Sequence, residues 1–392
     1  MTRFSAPAFL REHIRSILDF YAPSVKDPAG GFFQNFRDDG SVFAPGERHL
    51  VSSCRMVVNY CRAYELFGDT VYRDLAIHGL EFLRSVHWDP SRRGFNWTLR
   101  AGTRPVDQTN HCYGLAFVVL TTAAARKVDL SGAEDDLERA WGIMETRLWD
   151  ADAGLYADEA TPDWSRVDPY RGQNANMHSC EAFIEAFEAT AEQKYLDRAV
   201  ALARRVTVEL AKQSNDLVWE HFTPELAIDW DYNRDDPKNL YRPWGFQPGH
   251  QTEWTKLLLT LHGLCPESWM LTRAAALFDR ALDVAWDDAH GGIFYGFAPD
   301  GTICDDDKYF WVQAESFAAS HRLFQHTGEA KYADWYRKIW QYAWDHFVDH
   351  EHGGWYRVLT ADGRKYSDEK STAGGKCDYH TIGACWDVLR AP

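Results

Sequence analysis

A chain of 392 residues with a formal net charge of −16 lacks the Lys and Arg surplus that nucleic acids and anionic membranes reward, so a neutral or small ligand is expected. Hydrophobic residues make up 45% and aromatic residues 15%, with 17 Trp, 18 Tyr and 22 Phe; rings can stack on the apolar faces of sugars, but core packing accounts for most of them. The eight cysteines form no C-x-x-C pair, and they read as reduced packing residues rather than disulfides or zinc ligands.

The amino terminus, MTRFSAPAFLREHIRSILDFYAPS, carries charges throughout, so neither a signal peptide nor a membrane span is expected and the chain reads as cytoplasmic. A glycine-aromatic phrase first appears as GGFFQNFRDDG from Gly30 and recurs as RGFNWTLRAG from Arg93, AGLYADEA from Ala153, LVWEHFTPEL from Leu217, GGIFYGFAPDG from Gly291 and GGWYRVLTADG from Gly353. The intervals are 63, 60, 64, 74 and 62 residues, regular enough to mark a repeat even though the fourth copy has no glycine. After each phrase comes a stretch apolar all round, such as SSCRMVVNYCRAYEL from Ser52, CYGLAFVVLTTAAA from Cys112, MHSCEAFIEAFEAT from Met177 and WVQAESFAASHRL from Trp311. Before each phrase comes a stretch charged on one face, such as VYRDLAIHGLEFLRSV from Val71, KYLDRAVALARRVTVEL from Lys194 and KYADWYRKIWQYAWDHF from Lys331. Six buried and six outer helices predict an all-α (α/α)6 barrel over residues 1–392, one domain, with short β-hairpin-like segments at one end. A linear solenoid is the competing arrangement; closure is favoured because the last helical stretch runs to the last residue without a polar cap.

In such a ring the buried helices open toward one mouth, where they bring Arg55, Tyr113, Asn174 with Asn176 and His178, His250 with Glu253, Trp311 with Glu315, and Asp378 with His380. The phrase RPWGFQPGHQTEWTKLLL from Arg242 breaks at Pro248-Gly249 and starts a helix near His250, with Glu253 and Trp254 on the same face. The positive end of a helix dipole disfavours imidazolium, so a histidine there tends to be neutral and able to accept a proton; His178 and His380 occupy matching positions. The segment 222–249 is the longest interruption of the repeat and is a candidate lid or a packing contact. Glu220 and His221 stand behind it as supporting candidates, and His111 as an exposed loop residue.

The phrases RGQNANMHSCEAF from Arg171, WGFQPGHQTEW from Trp244, KYFWVQAES from Lys308 and GGKCDYHTIGAC from Gly374 resemble the N-acylglucosamine 2-epimerase superfamily, within it the branch of mannose and sulfoquinovose isomerases. The resemblance covers nearly the whole chain. It implies an (α/α)6 barrel that uses no metal or other cofactor and interconverts a free aldose with its ketose or its C2 epimer. By position, His250 and His380 match the two catalytic histidines, and Arg55, Tyr113, Asn174, His178 and Glu253 match sugar-contacting residues, with Trp311 and Glu315 similar. Where relatives often read Tyr-x-His, this chain has Tyr113-Gly114-Leu115, which puts contact with the far end of the sugar in doubt.

The implied reaction is D-mannose to D-fructose through a cis-enediol. His380 takes the C2 proton and returns it to C1, His250 steadied by Glu253 opens the ring and shuttles the hydroxyl proton, and Arg55 holds the enediolate oxygen; the two histidines could exchange roles. No H-E-x-x-H motif or cysteine-histidine cluster offers a metal site. The alternatives are a 2-epimerase, a glycoside hydrolase using Glu253 and Glu315 as paired carboxylates, and a sugar-binding protein without activity. The substrate is expected to be a monosaccharide, and a homo-oligomer is left open.

Overall fold

The computed structural model describes residues 3–390. Its α-helices are α1 (Pro7–Tyr21), α2 (Leu50–Phe67), α3 (Thr70–Phe82), α4 (Cys112–Lys127), α5 (Ala133–Ile143), α6 (Gln173–Thr190), α7 (Gln193–Arg204), α8 (Pro248–Leu264), α9 (Ser268–Ala285), α10 (Phe310–Thr327), α11 (Ala330–His346) and α12 (Tyr379–Arg390). Ala391 and Pro392, where the final helical stretch was expected to end, lie outside the described residues. Composition decides which helices go inside. In α4, rich in Ala, Val and Thr, 13 of 16 residues are buried, whereas α5, with Glu134, Asp135 and Asp136 in its first turn, buries 5 of 11.

The even-numbered helices form a closed inner ring, α2–α4–α6–α8–α10–α12 and back to α2, with the odd-numbered helices packed outside. This is the (α/α)6 barrel. The closing hairpin joins the two ends of the chain: α12 packs on α1, Tyr21 Oη donates to Asp378 Oδ2 at 2.7 Å, and Phe36 and Arg37 pair antiparallel with Ser371 and Glu369. A linear solenoid has no such contacts. Among the described residues no helix is long and apolar enough to cross a membrane, and all eight cysteines are free thiols.

Short two- and three-stranded hairpins connect the helices. In the first, fifth and sixth phrases a glycine pair adopts positive φ, as at Gly291 (75°) and Gly292 (81°). Just ahead of the fourth phrase, which has no glycine, Asn215 (54°) and Asp216 (61°), residue types that tolerate this region, take up positive φ.

A tie not foreseen from the sequence fastens most phrases to the strand that precedes the next inner helix. Asp27, Asp150, Asp287 and Asp349 each accept a backbone N–H two residues on, and each binds a cation 21 residues later: Arg48 at 2.5 Å, Arg171 at 3.0 Å, Lys308 at 2.7 Å and Lys370 at 2.5 Å. In the second phrase Asn110 stands at that spacing from Asp89, and Arg92 supplies the charge from within the turn.

Candidate active site

Each inner helix opens at the hairpin end of the ring, so its first turn is the part that reaches the mouth. There Arg55, Tyr113, Asn174, His178, His250, Glu253, Trp311 and His380 line one pocket, together with Leu240, Tyr241 and Pro243 of the segment 222–249. Tyr295, Tyr309, Phe310 and Arg357, which the sequence reading did not select, complete the wall. Tyr295 and Tyr309 stack with ring centres 3.9 Å apart, and Trp311 stands between the two candidate catalytic rings, 5.2 Å from His250 and 5.7 Å from His380. Gly249 is the neighbour that admits this indole, because a Cβ there would meet Trp311 at 2.4 Å.

Both histidines are anchored through Nδ1. His380 Nδ1 lies 2.8 Å from Glu315 Oε1, and His250 Nδ1 lies 2.9 Å from Glu220 Oε1. Where the glutamate is ionised it only accepts, so Nδ1 then carries the hydrogen and Nε2 keeps its lone pair. Gln173 shares this corner with His250: Trp254 Nε1, a donor only, gives 2.8 Å to Gln173 Oε1, which turns the Gln173 amide nitrogen toward Glu220 Oε2 and His250 Nδ1, each at 2.9 Å. Burial, reinforced by Arg55 and His178, holds the His380 imidazole well below its ordinary value.

The expected support of His250 by Glu253 is therefore corrected: Glu220, from the phrase preceding segment 222–249, does that work. Glu253 has neither carboxylate oxygen hydrogen-bonded within the protein, and burial with Glu315 and Glu181 nearby pushes its carboxyl well above the usual range. Glu315 lines no part of the pocket; it lies behind His380 with Lys256 Nζ 2.6 Å from its other oxygen. His178 Nδ1 pairs with Glu181 Oε2 at 2.9 Å, and Arg55 donates to Tyr113 Oη at 3.0 Å while its Nε stays unpartnered.

Two further expectations are revised, those for Asn176 and His111. Asn176 does not face the mouth; its side chain clips the backbone of Tyr156, as Gln251 clips Val218 and Gln313 clips Ile293. His111 is no exposed loop residue: its ring centre lies 4.0 Å from that of Trp97 and its Nδ1 3.4 Å from Glu159. His221 bonds Tyr170 Oη and Pro243 O and holds the base of the covering segment. That segment crosses the mouth. His49 accepts from Val51 N–H at Nδ1, so its Nε2 donates to Tyr241 Oη at 3.1 Å, and Lys238 reaches Asp307 at 2.7 Å on the other side.

Among the described residues three trios, His178–Glu181–Glu253, Glu253–Glu315–His380 and Asp305–Asp306–Asp307, bring possible metal-ligand atoms within 4.8 Å of one another. In each a donor already holds one member, Tyr379 Oη on Glu181 at 2.6 Å, Lys256 on Glu315, and Lys238 on Asp305 and Asp307, while both Glu253 oxygens stay open. The fixed charge of Lys256 stands where a second cation would be repelled.

The model of the N-acylglucosamine 2-epimerase family matches residues 31–384. The chain is 52% identical to a D-mannose isomerase of Marinomonas mediterranea, over 99% of this chain and 98% of that protein, and 33% identical to a D-mannose isomerase of Thermobifida fusca, over 90% and 86%. A crystal structure of a D-mannose isomerase superposes with a TM-score of 0.97 at 51% identity, covering 100% of this chain and 99% of that one.

Proposed function

The chain belongs to the N-acylglucosamine 2-epimerase family, and on that premise we propose that it is an aldose-ketose isomerase converting free D-mannose to D-fructose without a metal. The observation that carries this reading is the pair of histidines on one pocket, each with Nδ1 held by a buried glutamate and a free Nε2. The 52% identity to a D-mannose isomerase supports the choice of sugar.

The pyranose first opens to expose the C1 aldehyde. His380 Nε2, neutral because burial disfavours its charged form, removes the proton from C2. The electrons form the C1=C2 double bond and charge gathers on O1, beside the Arg55 guanidinium. His250 carries the O2 proton to O1, which closes the C2 carbonyl, and His380 delivers its proton to C1. Protonated Glu253 donates a hydrogen bond to a sugar hydroxyl, and the unpartnered Arg55 Nε and Asn174 Oδ1 keep bonding capacity for the ligand. Tyr113, His178 and Trp311 hold the ring. Glu315 is committed to His380 and Lys256, which argues against paired-carboxylate hydrolysis.

The reading takes residues 1–392 as one catalytic domain, supported by the contacts that close the ring, and its eight free thiols suit a reducing, cytoplasmic setting. The test is incubation with D-mannose in deuterated water, with and without EDTA, and separation of the products. Fructose labelled at C1, through exchange of the His380 proton with solvent between the two transfers, and unaffected by EDTA, is expected. Glucose as sole product would overturn the isomerase, and a loss on chelation that zinc or manganese restores would overturn the metal-free scheme.

A further inference from the structure

Behind the pocket a line of buried charges runs down the barrel axis. His380 Nδ1 meets Glu315 Oε1 at 2.8 Å, Glu315 Oε2 meets Lys256 Nζ at 2.6 Å, Lys256 Nζ meets Asp387 Oδ2 at 3.1 Å, and Asp387 Oδ1 meets Arg322 at 3.3 Å. Three inner helices contribute: His380 and Asp387 stand seven residues apart, two turns, on α12, Glu315 and Arg322 repeat that spacing on α10, and Lys256 projects between them from α8. His250 lacks this arrangement, because the carboxylate behind it is backed by the neutral amide of Gln173.

We propose that Lys256, which touches neither the pocket nor a substrate, is a positioning residue that keeps Glu315 ionised and thereby holds His380 in the Nδ1–H tautomer needed for proton abstraction. The inference rests on the isomerase reading above. Glu315 is almost fully buried, and burial favours its neutral form; Lys256 supplies the counter-charge that opposes it. Without that charge Glu315 takes up a proton and becomes a donor. His380 Nδ1 must then accept, the ring hydrogen moves to Nε2, and the lone pair turns away from the sugar. The groups around His380 are Arg55 from α2, His178 and Glu181 from α6, His250, Glu253 and Lys256 from α8, Glu315 from α10 and Tyr379 beside it. Of the cations among them, only Lys256 contacts Glu315. Asp387, in turn, holds Lys256 in place.

The experiment compares pH profiles of kcat/KM for the wild type, Lys256→Met, Lys256→Arg and Glu315→Gln. The expected result is an acid limb at least one pH unit higher in Lys256→Met, with roughly ten-fold lower activity at pH 7 that recovers near pH 9 as Glu315 ionises. Lys256→Arg keeps the wild-type limb, and Glu315→Gln loses activity equally at all pH values. A Lys256→Met enzyme whose activity falls by one factor at every pH, with its limb unmoved, would overturn the proposal and reduce Lys256 to packing. Lys256→Gln, which keeps a donor but no charge, reads the same shift if Lys256→Met does not fold. Nitrogen-15 NMR of the histidines, recorded without substrate, reports the His380 tautomer directly: Nδ1–H in the wild type and Nε2–H in the uncharged variants at pH 7. A protein inactive on every free aldose would refute the isomerase reading and leave this spectral test standing. An Nε2–H wild type would refute the role of Lys256 alone.

Discussion

Glu220 illustrates how much of the chemistry is set by residues that never meet the sugar. Its carboxylate is the acceptor that orients His250, and Gln173 and Trp254 lock it in turn. Glu220→Gln keeps the shape and removes the charge, so kcat is expected to fall by roughly 10²- to 10⁴-fold with an unchanged circular dichroism spectrum; unimpaired turnover would show that His250 needs no anion. The depressed His380 pKa has a definite sign as well. Its base form persists on the acid side, so the acid limb of kcat/KM in the wild type is expected below pH 6.5, and a limb above 7 would contradict the burial argument. His250, His380 and Arg55 were legible because they interrupt helices otherwise apolar all round, where a polar group needs a reason. Glu220 was legible only as a supporting candidate, and Tyr241, Tyr295, Tyr309 and Arg357 were not, because they reach the pocket from hairpins and connecting segments whose course no helical period predicts.

At the scale of elements, alternation of inner and outer helices could be read from composition, since an Ala-rich stretch without a charged face has nowhere to go but inside. The 21-residue ties could not. Each joins a turn to a strand across the hairpin, its cation is Arg in some repeats and Lys in others, and in one repeat it moves to Arg92. Their contribution is measurable. Lys370 and Asp349 are both nearly inaccessible, and the lysine also donates to Gly353 O and Asp38 O. Lys370→Met leaves a buried carboxylate without its cation, and urea denaturation is expected to show a loss of roughly 3–5 kcal/mol. Lys365→Met serves as the control: its pair with Asp38 is partly solvated, and the expected loss is at most about 1 kcal/mol. Equal losses in the two variants would mean that the ties are no stronger than surface pairs.

For the molecule as a whole, buried neutral histidines tie stability to pH. Burial holds His13 and His87 at about 4 and His49 at about 3, against an unfolded value near 6.5. Between pH 6.5 and 4 the unfolded chain binds protons that the folded one does not, so stability falls as pH drops through that window, by up to about 1.4 kcal/mol per histidine per pH unit. Asp158, pushed up to about 7 by burial, and Glu253, raised well above the usual carboxyl range, work in the opposite direction, while His321, held at about 4, and His380 add to the loss. Thermal unfolding from pH 7 to 4.5 is therefore expected to show a steadily decreasing Tm, and a flat profile would indicate that these rings are hydrated. The ring closes by joining α1 to α12, and Tyr21 stands 357 residues from its partner Asp378. At roughly 5–20 residues per second a ribosome needs about 20–70 s to cover that interval, during which α1 can reach the end of α2 but not α12, the inner helix it packs on. Closing the ring therefore comes late in synthesis, and until then one side of α1 waits for its partner.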